Sequence, residues 1–166
     1  LNYQLYVLQD YIGLDNDKAG ATLSIMSLVL MVVSLISALS AGPISDKIGR
    51  RKVPVVVASL LLAVGYALPW ILHSPMGMIL FSAIGGFGYG MYGSVDQALN
   101  VDVLPNKEEA GKDLGILNLA TTLGQMLGPV LMSVITMTLG YAAAFPISIV
   151  FALLGCVFIM MIKGVK

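Results

Sequence analysis

Long uncharged intervals, separated by short charged stretches, set the rhythm of this chain. Between Lys18 and Asp46 lie 27 residues without a charge, between Lys52 and Asp96 lie 43 in which His73 is the sole acid or base, and between Asp113 and Lys163 lie 49 with neither. A helix needs about 20 apolar residues to cross a hydrocarbon layer of ~30 Å, so the first interval holds one span and the others two each. Pro69 and His73-Ser74-Pro75 break the second interval, and Leu139-Gly140-Tyr141 breaks the third. The pattern predicts an all-α polytopic transmembrane bundle, one domain over residues 1–166, with spans near 19–41, 53–72, 76–99, 114–138 and 142–162. Residues 1–12 (LNYQLYVLQDYI) read as the outer end of one more helix, a partial span.

Polar residues are not spread evenly over these spans. Asn118, Thr121, Thr122, Gln125, Ser133 and Thr136 fall within roughly a 120° arc when each residue advances ~100° around a helix, and Pro129 shares it. Ser82, Gly85, Tyr89, Gly93, Asp96 and Asn100 make a comparable stripe with Tyr92 at its edge, while Ser24, Ser27, Ser34, Ser37 and Ser40 scatter more widely. The 53–72 and 142–162 spans carry little that is polar and are expected to face lipid. Two readings of the stripes stay open. Small and hydroxyl residues serve helix–helix packing, as Gly86 to Gly90 and Gly124 to Gly128 at GxxxG spacing would. Buried amides such as Asn118 and Gln125 are costly in hydrocarbon unless a wet cavity satisfies them.

Composition narrows the class. Of the residues, 58% are apolar and 11% charged, and the mean hydropathy is +0.91; soluble domains carry about a quarter charged residues. Net charge is zero, which argues against nucleic acid as a partner, since phosphate binding needs a surplus of cations. Cys156 is the one cysteine and sits in an apolar run, so neither a disulfide framework nor a metal set is expected. His73 lies alone in an outer turn, and no nucleophile has a base at a recognisable spacing; no catalytic residue, metal site or cofactor is assigned, and an enzyme is not expected. Lys47, Arg50, Arg51, Lys52, Lys107, Lys112, Lys163 and Lys166 share one side of the predicted topology, eight of nine cations, which sets that side and the C-terminus in the cytoplasm. Asp96 falls near the boundary on that side, where Arg50, Arg51 or Lys52 could pair with it; an acid inside a membrane is otherwise a functional candidate.

The stretch Gly42-Pro43-Ile44-Ser45-Asp46-Lys47-Ile48-Gly49-Arg50-Arg51-Lys52, tight between two spans, combines two glycines, an acid and several cations. Gly42 permits close helix contact, Asp46 can pair with Arg50, and Gly49 allows a reversal that a Cβ would hinder. This segment resembles the G-x-x-x-D-[RK]-x-G-[RK]-[RK] signature of the major facilitator superfamily. Residues 94–105 (SVDQALNVDVLP) and 110–115 (AGKDLG) are similar to the matching loop of its sugar:cation symporters, of the glycoside-pentoside-hexuronide and sucrose-transporter types. Gly124-x-x-x-Gly128-Pro129 is similar to the family's glycine-proline element in helices five and eleven, without its trailing glycine pair.

The resemblance implies the C-terminal half of a twelve-helix carrier, from the end of the seventh helix to the twelfth. It further implies a latch of Gly42, Asp46, Gly49, Arg50 and Arg51 bridging to the missing N-terminal half, with Gly124, Gly128 and Pro129 as bend and packing residues. Tyr89, Tyr92, Asp96, Asn118, Thr122 and Gln125 are then the expected substrate path, because aromatic rings stack on sugar faces and amides bond hydroxyls. The expected partners are the lipid bilayer, a small polar solute, and a coupling cation or proton. The expected location is the plasma membrane, multi-pass. Drug or metabolite efflux by the same superfamily is the alternative, and a non-transporting anchor or assembly module is a second.

Overall fold

The computed structural model describes residues 3–49, 52–102 and 110–161. Among the described residues six α-helices follow one another: α1 (Gln4–Tyr6), α2 (Asn16–Ile48), α3 (Lys52–Leu72), α4 (Pro75–Asp102), α5 (Ala110–Leu139) and α6 (Tyr141–Met161), with a π-helical turn, Val7–Tyr11, after α1. Five of them are long and apolar enough to cross a membrane: segments 16–45, 52–72, 75–96, 111–139 and 141–161.

Local chemistry explains where each helix begins and ends. The Asp15 carboxylate accepts a hydrogen bond from the Lys18 N–H at 2.8 Å and so caps α2. Ser74 Oγ accepts from the Gly77 N–H at 3.2 Å, and Pro75, which has no N–H to lose, opens α4. At the other end of α2, Gly49 takes φ +64° and closes the helix with its N–H on the Ser45 carbonyl at 3.0 Å. This is the reversal the sequence asked of it. Because caps and not hydropathy end helices, α2, α4 and α5 run past the boundaries read from the apolar intervals. The 33 residues of α2 amount to about 50 Å at ~1.5 Å each, well beyond the hydrocarbon layer. Of residues 1–12, expected as the end of a helix, the described ones from Tyr3 onward give one α-turn and then wind as a π-turn, with the Ile12 N–H on the Val7 carbonyl at 3.0 Å.

Helix α4 is the axis of the packing, and its glycines decide this. Gly86 and Gly90 lie against α2, where an added Cβ would stand 3.2 Å from Leu30 Cα and 2.8 Å from Ser34 Cα. On another face, Gly88 lies against α3, 2.9 Å from the Ala58 carbonyl, and Gly65 of α3 meets Gly85 at 3.4 Å. Leu30 and Ser34 meet rising numbers on α4 and Gly65 and Ala58 meet falling ones, so α2 and α4 run parallel and α3 antiparallel to both. The wholly buried Ser37 donates from Oγ to the Phe87 carbonyl at 2.6 Å and ties α2 to α4. Helix α6 packs on α3, and α5 leans mainly on α6.

Apolar clusters mark the two ends. Val7, Leu8, Ala19, Met26, Met78 and Phe145 pack at the end carrying the His73 turn. Ala41, Val55 and Val95, with Met91 and Ile159, pack at the Gly49 end. Of α3, expected from its sequence to face lipid, Val53, Val57, Leu60, Val64 and Ile71 are exposed, but its other face is buried against its neighbours through Val55, Ala58, Ser59 and Gly65. The α2 serines do not form a polar path. Ser24, Ser27, Ser34 and Ser40 donate to carbonyls of their own helix at 2.8–3.1 Å, and the exposed surface of α2 is Ile25, Leu28, Met31, Val32, Leu35, Ile36 and Leu39.

Candidate functional site

Two helix faces hold the residues expected to meet a solute. On α4, Tyr89 is 58% exposed and Tyr92 37%. Spacings of three and four residues put Tyr92 one turn from each of Tyr89 and Asp96 on one side of the helix. Asp96 ends the apolar part of its helix, where the sequence set the boundary. Of the cations expected to face it, Arg50 and Arg51 lie outside the described residues.

On α5, Asn118, Thr122 and Gln125 are all exposed. Thr122 donates from Oγ1 to the Asn118 carbonyl at 2.8 Å, Thr121 to Leu117 at 3.1 Å and Thr136 to Met132 at 2.9 Å, so the hydroxyls are satisfied by their own helix. The side-chain amides of Asn118 and Gln125 are different: among the described residues neither makes a hydrogen bond. Each carries two N–H donors and a carbonyl acceptor that a helix in hydrocarbon cannot serve. The α4 set and the α5 set remain apart, with no hydrogen bond or ring contact between them among the described residues.

Gly124 and Gly128 do not pack. Nothing stands within 4 Å of where their Cβ atoms would be, and both line an open groove of about 560 Å³ between α3, α5 and α6, with Leu62, Tyr66, Ile147 and Phe151 on its other walls. Counting ~100° per residue, this glycine face lies about 90° around α5 from the amides of Asn118 and Gln125. Pro129, on the amide side, accepts a hydrogen bond at its carbonyl from the Tyr3 hydroxyl at 3.0 Å. Gly42 likewise has open space about it, so the close approach expected there is not made among the described residues. The Asp46 side chain, Arg50 and Arg51 fall outside the described residues, and of the latch loop Gly49 and its cap are the part described.

Sequence reasoning missed a polar cluster at the opposite end. His73 is not alone: its Nε2 meets the Tyr11 hydroxyl, and the two rings lie tilted at 36° with centroids 4.7 Å apart. The Tyr141 hydroxyl donates to Asp10 Oδ2 at 2.9 Å. His73 also holds φ +44°, a left-handed conformation that costs a residue with a Cβ roughly 1–2 kcal/mol. Burial raises the Tyr11 hydroxyl above the usual phenol range. The available signal was the concentration of Tyr3, Tyr6 and Tyr11 in the first dozen residues; nothing in their spacing named their partners.

Comparison with known proteins settles the family. The sequence profile of the Major Facilitator Superfamily matches residues 2–165. This chain belongs to the Major Facilitator Superfamily. It is 26% identical over 149 residues to "Uncharacterized MFS-type transporter C18.02" of Schizosaccharomyces pombe, covering 90% of this chain and 33% of that protein. It is 31% identical over 130 residues to an "MFS-type transporter" of Gibberella moniliformis, covering 75% of this chain and 30% of the relative. The chain thus spans about a third of the length of these curated relatives. No solved structure matches. Membership in the Major Facilitator Superfamily accords with the five apolar helices and makes this a multi-pass membrane protein of a transporter family, not an enzyme.

Proposed function

We propose that the chain is the C-terminal half of a secondary carrier that moves a small polar organic solute by alternating access, its binding site lying between this half and an N-terminal one. The observation that carries this reading is the pair of amides on α5: Asn118 and Gln125 are exposed on a membrane-crossing helix and have no hydrogen-bonding partner among the described residues. Only water, a solute or the other half can satisfy them, and all three belong to a central path. Tyr89 and Tyr92 on α4 add exposed aromatic faces.

Within that reading the solute is a sugar, stacked on Tyr89 and Tyr92 and held at its hydroxyls by Asn118, Thr122 and Gln125, with a cation or proton gradient driving uptake. The latch of Asp46, Arg50 and Arg51 bridges to the N-terminal half at the Gly49 end, where Gly42 leaves a smooth open surface for it. The C-terminus is cytoplasmic by the distribution of Lys and Arg, and the plasma membrane is the expected location. Uptake of labelled sugars by the complete carrier in vesicles, with and without a sodium or proton gradient, tests this. Gradient-driven sugar uptake supports the proposal. Indifference to every sugar together with transport of lipophilic cations replaces it with efflux.

A further inference from the structure

Two hollows meet inside this half. The groove between α3, α5 and α6, about 560 Å³, adjoins a smaller cavity of about 70 Å³ beside Tyr3, Gln4 and Val7, and Tyr66, Met132 and Ser148 line both. The segment over the small cavity is fixed, since Val7 and Leu8 are buried in the apolar cluster at the His73 end. The hollows differ in chemistry. The groove is walled largely by Leu62, Leu131, Ile147 and Phe151, whereas the cavity adds Gln4, whose Nε2 is buried with no hydrogen-bond partner. Among the described residues the Tyr66 and Ser148 hydroxyls make no hydrogen bond either, while that of Tyr3 is taken by Pro129. No acidic or basic side chain lines either hollow among the described residues.

Depth in the membrane selects the occupant. Leu62, Gly124 and Phe151 stand near the middle of α3, α5 and α6, so the groove lies at the centre of the bilayer and the cavity beyond it toward the His73 end. Tyr66 and Ser148 lie about two turns inside the helix ends at Leu72 and Tyr141, roughly 10 Å below them, still within a hydrocarbon layer of ~30 Å. An empty groove there forfeits its dispersion contacts, and an apolar chain from the lipid restores them. A charged head at that depth is excluded by desolvation, whereas an uncharged oxygen supplies the acceptor that Gln4 lacks. We propose that the joined hollows bind one membrane amphiphile, a long apolar body ended by a single uncharged hydroxyl, as in a sterol or a fatty alcohol. Its body lies along Gly124 and Gly128, where a Cβ would meet nothing within 4 Å, and its oxygen accepts from Gln4 and meets the Tyr66 and Ser148 hydroxyls. Polar end toward one face and apolar body toward the midplane is the orientation such a molecule already has in the leaflet. This site is separate from the solute path, about 90° around α5 from the amides of Asn118 and Gln125, and does not depend on transport.

Photolabelling of the complete carrier in nanodiscs tests this, with a diazirine-bearing sterol and a diazirine-bearing hexadecanol as the two probes. Saturable adducts are expected on peptides covering 124–135 and 147–152, the groove walls of α5 and α6. Unlabelled alcohol should displace the probe about five- to tenfold better than the hydrocarbon lacking its hydroxyl, the effect of one net hydrogen bond. Gln4→Leu is expected to erase that preference while adducts persist. Gly128→Leu, which fills the groove, is expected to abolish the adducts, with Gly124→Leu as a second filler if the first does not assemble. Labelling by the sterol alone or by hexadecanol alone assigns the source, and either supports the site. Displacement by hexadecanoate or lysophosphatidylcholine as strong as by hexadecanol, or an alcohol preference that survives Gln4→Leu, overturns the uncharged head site. Adducts as frequent at Val64 and Leu154 as in the groove, or undiminished in the filler variants, reduce the occupant to ordinary surrounding lipid and overturn the proposal. Absence of adducts at 124–135 and 147–152 with both probes means that another part of the carrier fills the groove, and overturns it too.

Discussion

Replacing Gly90 by alanine inserts one methyl group where α2 and α4 are closest. The new Cβ would fall closest to the Ser34 carbonyl oxygen and would stand 2.8 Å from Ser34 Cα and 2.9 Å from its carbonyl carbon, against ordinary contacts of 3.4–4 Å. All three obstacles are backbone, which cannot swing aside as a side chain can. The helices must therefore part by about half an ångström or more, and every contact along the seam loosens with them. Overpacking of this kind costs about 1–3 kcal/mol. The Ser37–Phe87 bond, now 2.6 Å, lies in the same seam, and interhelical hydrogen bonds in membranes average about 0.6 kcal/mol. A loss of roughly 2–3 kcal/mol is expected for Gly90→Ala. Gly93, three residues on, has nothing within 4 Å of its Cβ position, so Gly93→Ala gains about 0.4–1 kcal/mol from helix propensity alone. Unfolding of the purified complete carrier by SDS in mixed micelles, followed by maleimide trapping of the buried Cys156, measures both. Equal stabilities for the two variants, or a Gly90→Ala carrier as stable as its parent, would refute the packing argument.

Single contacts give further expected outcomes. Gly88→Ala, with the Ala58 carbonyl at 2.9 Å, should destabilise more than Gly86→Ala, whose closest neighbour is at 3.2 Å, in the same SDS titration. Gly49→Ala forces a Cβ into the left-handed region at φ +64° and should cost roughly 1–2 kcal/mol, read by the same assay. Asn118→Ala and Gln125→Ala, at exposed positions, should leave stability within about 0.5 kcal/mol while reducing initial uptake. The Lys18 N–H holds the Asp15 carboxyl below the usual carboxylate range. A lowered folded-state value means that the cap's stabilisation is present above the ordinary carboxylate range and disappears as pH falls through the lowered one. Amide exchange at Lys18 and Ala19 should accordingly accelerate in acid and be unaffected between neutral and mildly alkaline pH once intrinsic rates are divided out.

Much of this architecture is legible in the sequence because lipid leaves so few alternatives. Five apolar stretches became five helices because every backbone N–H in hydrocarbon must be bonded within its own segment, and the turns fell at His73-Ser74 and Gly140 where proline and glycine stop a helix. Hydropathy could not give the helix ends, since Asp15 and Gly49 set them by capping outside the apolar layer. Periodicity could not say what the scattered serines of α2 do, and four of them spend their hydroxyls on carbonyls of their own helix; a stripe of donors looks the same in sequence whether it serves the helix or a neighbour. The GxxxG spacings illustrate the same limit. Gly86 and Gly90 pack while Gly124 and Gly128 line an open groove, and only the partner helix distinguishes them. The Tyr11–His73 contact joins residues 62 positions apart through a π-turn, which no local pattern announces.

The central claim is that the amide face of α5 looks onto water while the apolar faces of α3 and α6 look onto lipid. Single cysteines placed at Asn118, Thr122, Gln125, Val64 and Leu154 in a Cys156→Ser background of the complete carrier, labelled in vesicles with a charged, membrane-impermeant maleimide, measure this position by position. The account predicts rapid labelling at 118, 122 and 125, slowed by the transported solute, and little at 64 and 154. Labelling at 64 and 154 as fast as at 118 and 125, or none at any of the three α5 positions, would contradict it.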